Sequence, residues 1–240
     1  MKLKVLGSGS SGNCYILEND TEALIIEAGV SFKEVKIALD FNVKKIVGVL
    51  VSHHHGDHAK HMNEYIKSGI PVYAPYLNKK WIPIFKGFKK IKAIELTDRN
   101  GQFKHTEADG SECPCYGFYI EHYDMGKMVY ISDTELIKWN FQKLKLNHII
   151  VEANYSDDLI DNEASNRKHI LRGHMSLNTA ADFISTNDNP TLKNVVLIHL
   201  SDKNADSAQF QQKIKETIKY GANVYVAGKG LEVDLSLCPF

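Results

Sequence analysis

The apolar run Ile46-Val-Gly-Val-Leu-Val51 stops at Ser52-His-His-His-Gly-Asp-His58, and this junction constrains the fold more than any other stretch of the chain. Within it, His53, His55, Asp57 and His58 place four metal-binding side chains in six residues. A regular helix or strand cannot aim four such close neighbours at one ion. The spacing therefore predicts a strand that ends, a loop that turns into a helix, and ligands divided between two ions. Imidazole suits zinc, iron or manganese, and a carboxylate adds charge to hold a second cation. Gly56 is expected to permit the tight backbone of the turn. An affinity tag would be terminal and uniform, whereas this cluster is internal and follows a strand. Its neighbours His54 and His61 are read as supporting or surface residues.

The same arrangement, polar residues just past an apolar β-branched run, recurs along the chain. Strands are predicted at 3–6, 15–18, 23–27, 47–52, 72–74, 91–96, 117–121, 128–131, 148–151, 195–199 and 224–227. Amphipathic helices are predicted at 32–39, 59–68, 176–186 and 207–220, which makes the chain α/β. Strands dominate the first half, which favours two sheets over one doubly wound sheet. Strand ends and the loops beyond them are where a rigid sheet can fix reactive groups. His, Asp and Glu converging there from distant segments is how a metal site looks in a single sequence.

Composition narrows the function classes. With 240 residues, 43% of them hydrophobic, the chain suits one substantial domain spanning 1–240. Lys+Arg and Asp+Glu are each 29, a balance that argues against a large basic surface for polyanions but not against a nucleotide-sized substrate. The start, Met1-Lys-Leu-Lys-Val-Leu-Gly7, is too short an apolar run for a signal peptide, and no segment approaches the roughly 20 apolar residues of a membrane span. The four cysteines, Cys14, Cys113, Cys115 and Cys238, are too scattered for a disulfide framework, so a cytoplasmic setting is expected. Cys113-Pro-Cys115 is read as ordinary loop cysteines rather than as metal ligands.

His53-x-His55-x-Asp57-His58 after a strand resembles the signature of the metallo-β-lactamase superfamily. The resemblance implies a four-layer αββα sandwich of two mixed sheets, with a dinuclear site at their shared edge. Asp133, in Val129-Tyr-Ile-Ser-Asp-Thr134, is similar to that family's metal-bridging aspartate. His199, in Val195-Val-Leu-Ile-His-Leu200, is similar to its final histidine ligand. The remaining implied ligand is a histidine between residues 95 and 115. His105 stands there, although its loop is longer than the pattern suggests, and Asp109 or Asp98 could supply oxygen instead. Glu27 occupies a position where the family usually has aspartate, a residue that orients a ligand from behind. Two divalent ions are implied, with zinc favoured and manganese or iron as alternatives.

The superfamily hydrolyses several bond types, so the fold alone does not choose among them. His148-Ile-Ile-Val-Glu-Ala-Asn-Tyr155 and Arg172-Gly-His-Met-Ser-Leu-Asn-Thr-Ala-Ala181 resemble two tRNase Z segments, a glutamate after a strand and a histidine opening a helix. By that resemblance Glu152 supports His174, which binds the scissile phosphate or protonates the leaving oxygen, while Asp57 serves the metal-bound hydroxide. Gly7-Ser-Gly-Ser-Ser-Gly-Asn13, Gly173-His-Met-Ser176 and His199-Leu-Ser-Asp202 are similar to YycJ-like proteins and related small phosphodiesterases.

The expectation is a metal-dependent phosphodiesterase or nuclease acting on nucleic-acid ends or small cyclic nucleotides. A thioester or lactam hydrolase of the same fold is the alternative, and a non-catalytic metal-binding module a third. The stretch 79–92 holds six lysines, no acid, and Trp81, Phe85 and Phe88. It is either a nucleic-acid grip or a solvated face over core aromatics. No long tRNA-holding arm is present, which disfavours tRNA maturation. The resemblance also implies a homodimer, since phosphodiesterases of this fold are often dimeric.

Overall fold

The computed structural model describes residues 1–77, 87–96, 111–160, 171 and 173–238. Two six-stranded sheets stack face to face, with helices on their outer surfaces. The strands are β1 (Lys2–Gly7), β2 (Cys14–Glu18), β3 (Ala23–Ile26), β4 (Ile46–Leu50), β5 (Val72–Tyr73), β6 (Phe88–Leu96), β7 (Cys115–His122), β8 (Gly126–Ile131), β9 (His148–Glu152), β10 (Asn194–Ile198), β11 (Asn223–Val226) and β12 (Glu232–Asp234). The first sheet runs β12-β1-β2-β3-β4-β5 and the second β11-β10-β9-β8-β7-β6. Both are mixed: β3 to β5 are parallel beside antiparallel β12 to β3, and β8 to β11 are parallel beside antiparallel β6 to β8.

Alternation along each strand builds the layers, because successive side chains point to opposite faces. Leu3, Val5, Tyr15, Leu17, Leu24 and Ile26 of the first sheet pack against Phe118, Ile120, Met128, Tyr130, Ile150 and Val196 of the second. The intervening residues Cys14, Ile16, Ala23 and Ile25 face outward, against Phe32 and Val35 of α1 (Phe32–Ala38) and Tyr65 of α3 (Met62–Lys67). Val129, Ile131, Ile149, Val151, Val195 and Leu197 face the other way, against α4 (Leu177–Asn187) and α5 (Ser207–Thr217). Three apolar interfaces separate four layers, which is the predicted αββα sandwich.

Several local expectations are corrected. The helix predicted at 59–68 is two helices, α2 (Gly56–Ala59) and α3, broken where the His61 backbone N–H donates to Ala28 O at 2.9 Å. β12 was not anticipated, since three residues with one buried side chain carry almost no pattern. It pairs antiparallel with β1 from the far end of the chain. Among the described residues no helix is long and apolar enough to cross a membrane.

Candidate metal centre

The centre lies where strands of both sheets end. β4 runs through buried Val51 and Ser52 into His53, which has no solvent exposure and whose Nδ1 is 2.9 Å from Ser52 Oγ. His55 caps α2, and Asp57 and His58 occupy its single turn. Because the helix turns at once, His58 points inward, with Nε2 3.2 Å from Asp57 Oδ2 and 3.0 Å from Asp133 Oδ2. Asp133 follows β8, and Ser132 Oγ donates to its Oδ2 at 2.6 Å. His199 follows β10, with Nε2 3.3 Å from Asp57 Oδ2 and Nδ1 3.0 Å from Glu152 Oε1.

Glu152, the last residue of β9, is buried at the centre of this network. Its Oε2 accepts from the backbone N–H groups of Thr134 at 3.2 Å and Met175 at 3.3 Å. Its Oε1 accepts from His174 Nδ1 at 2.7 Å. His174 sits just before Ser176, whose Oγ accepts from Thr179 N and caps α4, as expected.

Two glycines and a strained backbone hold the loops this close. A Cβ on Gly29 would lie 1.8 Å from Asp57 O, so the chain after β3 packs directly against the helix carrying Asp57 and His58. Gly12 has φ +146, and a Cβ there would meet Gly29 O at 2.7 Å. Gly56, expected to permit a tight turn, has φ outside the left-handed region and open space around a Cβ built there, so this turn does not need glycine. Glu27, Asp133 and His199, by contrast, all adopt left-handed backbones, at φ 67, 52 and 55. Each costs of order 1 kcal/mol or more, and such strain clusters at functional sites.

Glu27 reaches the site despite its extra methylene. Oε2 accepts from Ser52 N at 3.2 Å, and Oε1 is 3.4 Å from His58 Nδ1, so the longer acid still sits behind a predicted ligand. Asn13 is the residue the sequence reading missed. Its Nδ2 lies 3.2 Å from Asp57 Oδ2 and 3.1 Å from His58 Nε2, while its Oδ1 accepts from Gly9 N at 2.8 Å. Ser8 Oγ accepts from the backbone N–H of His199 at 2.9 Å. In the sequence, the Gly-Ser run that holds Ser8 and ends at Asn13 reads as an ordinary turn, and no spacing marks either residue as part of the site.

The charges reinforce one another. Burial alone would lower His199, but Asp133, Asp57 and Glu152 outweigh it and raise its pKa to about 10. His58 is likewise carried well above the ordinary histidine value, with burial overcome by Asp133, Glu27 and Asp57. Burial would raise Asp133 and Asp57, yet the facing histidines hold both well below the usual carboxylate range. Buried carboxylates facing buried imidazoles are what a cation site presents before the cation neutralises it.

Ligating atoms of Asp57, His58 and His199 lie within 4.8 Å of one another. So do those of His53, His58 and Asp133, and those of Asp133, Glu152, His174 and His199. His55 joins none of these three groups; its ligating atom clusters with those of His54 and Cys113. His61 is turned away and pairs with Glu64 at 2.7 Å. His105, Asp98, Asp109, Arg172 and positions 78–86 lie outside the described residues. The nitrogen and oxygen donor set fits zinc, manganese or iron.

Residues 7–109 match the model of the metallo-β-lactamase superfamily. The chain is 26% identical over 228 residues to the exodeoxyribonuclease YycJ of Bacillus anthracis, covering 84% of this chain and 83% of that protein. Among solved structures, it is similar to the metallo-β-lactamase fold protein YhfI of Bacillus subtilis, with a TM-score of 0.67, 16% identity, and 97% and 98% of the two chains covered. It is also similar to the short form of human tRNase Z, with a TM-score of 0.63, 15% identity, and 98% and 99% covered.

Proposed function

The chain is a metallo-β-lactamase superfamily domain with metal-dependent hydrolases among its structural neighbours, and from that premise we propose that it hydrolyses phosphodiester bonds at the ends of nucleic acid. The observation that carries the reading is the Glu152–His174 pair set beside the Asp57, His58, Asp133 and His199 cluster. An amide, lactam or thioester does not require a further carboxylate-backed histidine beyond those expected to hold the ions. A phosphodiester gives it two tasks, holding a non-bridging oxygen and protonating the departing alkoxide near neutral pH.

His53, His55, Asp57, His58, Asp133 and His199 would hold two divalent ions, with His105 as the ligand still to be assigned. When bound, the ions supply an activated water and neutralise phosphoryl charge. Asp57 and Asp133 bring the negative charge that keeps them in place. Glu152 fixes the rings of His174 and His199 by accepting from both Nδ1 atoms, so each presents Nε2 to the cleft. Nucleic acid as the substrate class is supported by the exodeoxyribonuclease name of the Bacillus anthracis relative. Zinc as the ion, a cytoplasmic location and residues 1–240 acting as one domain belong to the same reading.

The test compares turnover of bis-p-nitrophenyl phosphate and single-stranded DNA with that of a chromogenic lactam and a glutathione thioester. Phosphodiester turnover should dominate, and should fall together with metal content in His53→Ala and Asp57→Ala. Activity that survives both substitutions and exhaustive chelation would overturn it.

A further inference from the structure

Beside the main cluster, at its solvent edge, the fold brings together a thiol and two imidazoles. Cys113 Sγ lies 3.6 Å from His54 Nδ1, and the ligating atoms of His54, His55 and Cys113 all fall within 4.8 Å of one another. Cys113 has no solvent exposure, His55 is half-buried and His54 is exposed, so the three grade from solvent inward. The Tyr76 ring, with its centroid 5.8 Å from that of His54, flanks them. A tetrahedral ion with ligands at about 2.0–2.3 Å holds neighbouring ligand atoms about 3.3–3.8 Å apart. The observed sulfur–nitrogen separation already matches that span.

We infer that His54, His55 and Cys113 form a separate site for a soft divalent ion such as zinc or cadmium, and that filling it inhibits hydrolysis by engaging His55. The donor chemistry sets the selectivity. Thiolate favours zinc and cadmium over manganese, whereas the main cluster groups only imidazole and carboxylate, donors that manganese and iron also accept. Binding converts the Cys113 thiol to a thiolate and releases its proton to solvent, leaving a sulfur–metal bond and no change of oxidation state. His55 is shared property: its sequence position assigns it to the main centre, while its ligating atom groups with His54 and Cys113. The proposal rests on the metal-dependent reading above, and the experiment separates the two.

Metal-free protein is titrated with cobalt(II) while the near-ultraviolet thiolate-to-cobalt charge-transfer band and the total bound metal are followed. The band should appear in wild type, vanish in Cys113→Ser, need at least tenfold more cobalt in His54→Ala, and persist in the control Cys238→Ala. Cobalt bound with no band, or a band that survives Cys113→Ser, overturns this inference and leaves the phosphodiesterase reading standing. No cobalt bound at all sinks both.

A second measurement needs no metal-free protein. Zinc added to manganese-supported hydrolysis of bis-p-nitrophenyl phosphate should inhibit wild type, each protein being compared with its own zinc-free rate. The zinc needed for half-inhibition should rise at least tenfold in Cys113→Ser, a buried but near-isosteric change, and in His54→Ala, an exposed one, with circular dichroism checking that both still fold. Equal zinc sensitivity in all three proteins overturns the proposal.

Discussion

His174 Nδ1 stands 2.7 Å from Glu152 Oε1, and the same carboxylate oxygen is 3.0 Å from His199 Nδ1. One buried acid therefore braces a ring assigned to proton transfer and a ring assigned to metal binding. The two substitutions should separate. His174→Ala should lower kcat by about 10²- to 10⁴-fold, the usual worth of a positioned general acid, while metal content stays at the wild-type level. Glu152→Ala should lower kcat and also weaken metal binding by about 10- to 100-fold, because an outer partner of His199 is gone. Kinetics on bis-p-nitrophenyl phosphate with metal analysis of the same samples decides it. A normal kcat in His174→Ala would remove the general acid from the scheme.

The raised pKa values of His58 and His199 make metal binding a proton-releasing event. Without ions, the surrounding carboxylates keep both rings protonated at neutral pH. An ion can bind each nitrogen only after the proton leaves, so affinity should climb as pH rises from about 6 to about 8. Calorimetry on Cys113→Ser, in two buffers of different ionisation enthalpy, should report about two protons released from these rings as the main centre fills. Release of none would mean the rings are neutral beforehand and the charge assignment is wrong.

His148 provides a pH effect remote from the centre. It sits at the opposite end of β9, with Nε2 donating to Met125 O at 3.0 Å and Nδ1 accepting from Asn194 Nδ2 at 3.1 Å. Burial lowers its pKa from 6.5 to about 4. The unfolded chain thus takes up a proton that the folded chain refuses. Its contribution is complete above pH 6.5 and is lost as the pH falls towards 4, worth about 3 kcal/mol across that window. Urea unfolding at pH 7 and pH 5 should show wild type losing more stability than His148→Gln, whose amide can make both hydrogen bonds without titrating. Parallel losses would refute the assignment.

The described part of the basic stretch gives a prediction about substrate length. Lys89, Lys90 and Lys92 are exposed on the edge strand β6, and Lys89 lies over the Tyr123 ring at 4.1 Å. Leu96 at the other end of β6 pairs with Cys115, whose Sγ is 3.6 Å from His53 Nδ1. At about 3.3 Å per residue, the lysines stand about 13 to 23 Å along the strand from that end. Replacing all three by alanine should raise KM for long single-stranded DNA and flatten the slope of log affinity against log salt by about 2. Bis-p-nitrophenyl phosphate, too short to reach them, should be turned over at an unchanged rate. An unaltered salt slope would return these lysines to the role of a solvated face.

Much of the architecture was legible because it rests on periodicity. Leu3 and Val5, or Tyr15 and Leu17, alternate with outward residues, and that two-residue rhythm is what separates the layers. The junction at Val51 was legible because so many ligand types in so few residues have few other uses. Three kinds of feature left no trace. β12 is too short to carry a rhythm and is recruited by β1 from the far end of the chain. Asn13 acts through a buried amide whose partners, Asp57 and His58, are set by tertiary packing alone. The left-handed backbones of Glu27, Asp133 and His199 occur at residues with a Cβ, where propensity argues for the opposite. The grouping of His55 with Cys113 was illegible for a related reason, since an i, i+2 motif fixes which residues are near but not which way each ring turns.

Asp57 and His199 meet at 3.3 Å across a separation of 142 residues, one beyond a strand of the first sheet and the other beyond a strand of the second. A chain still being synthesised carries the whole histidine-rich loop long before β10 exists to answer it. Under the proposed chemistry, the cutting power of this protein is therefore a property of the finished molecule alone. A partly made chain carries the ion-gathering loop but lacks the second jaw with which to bite.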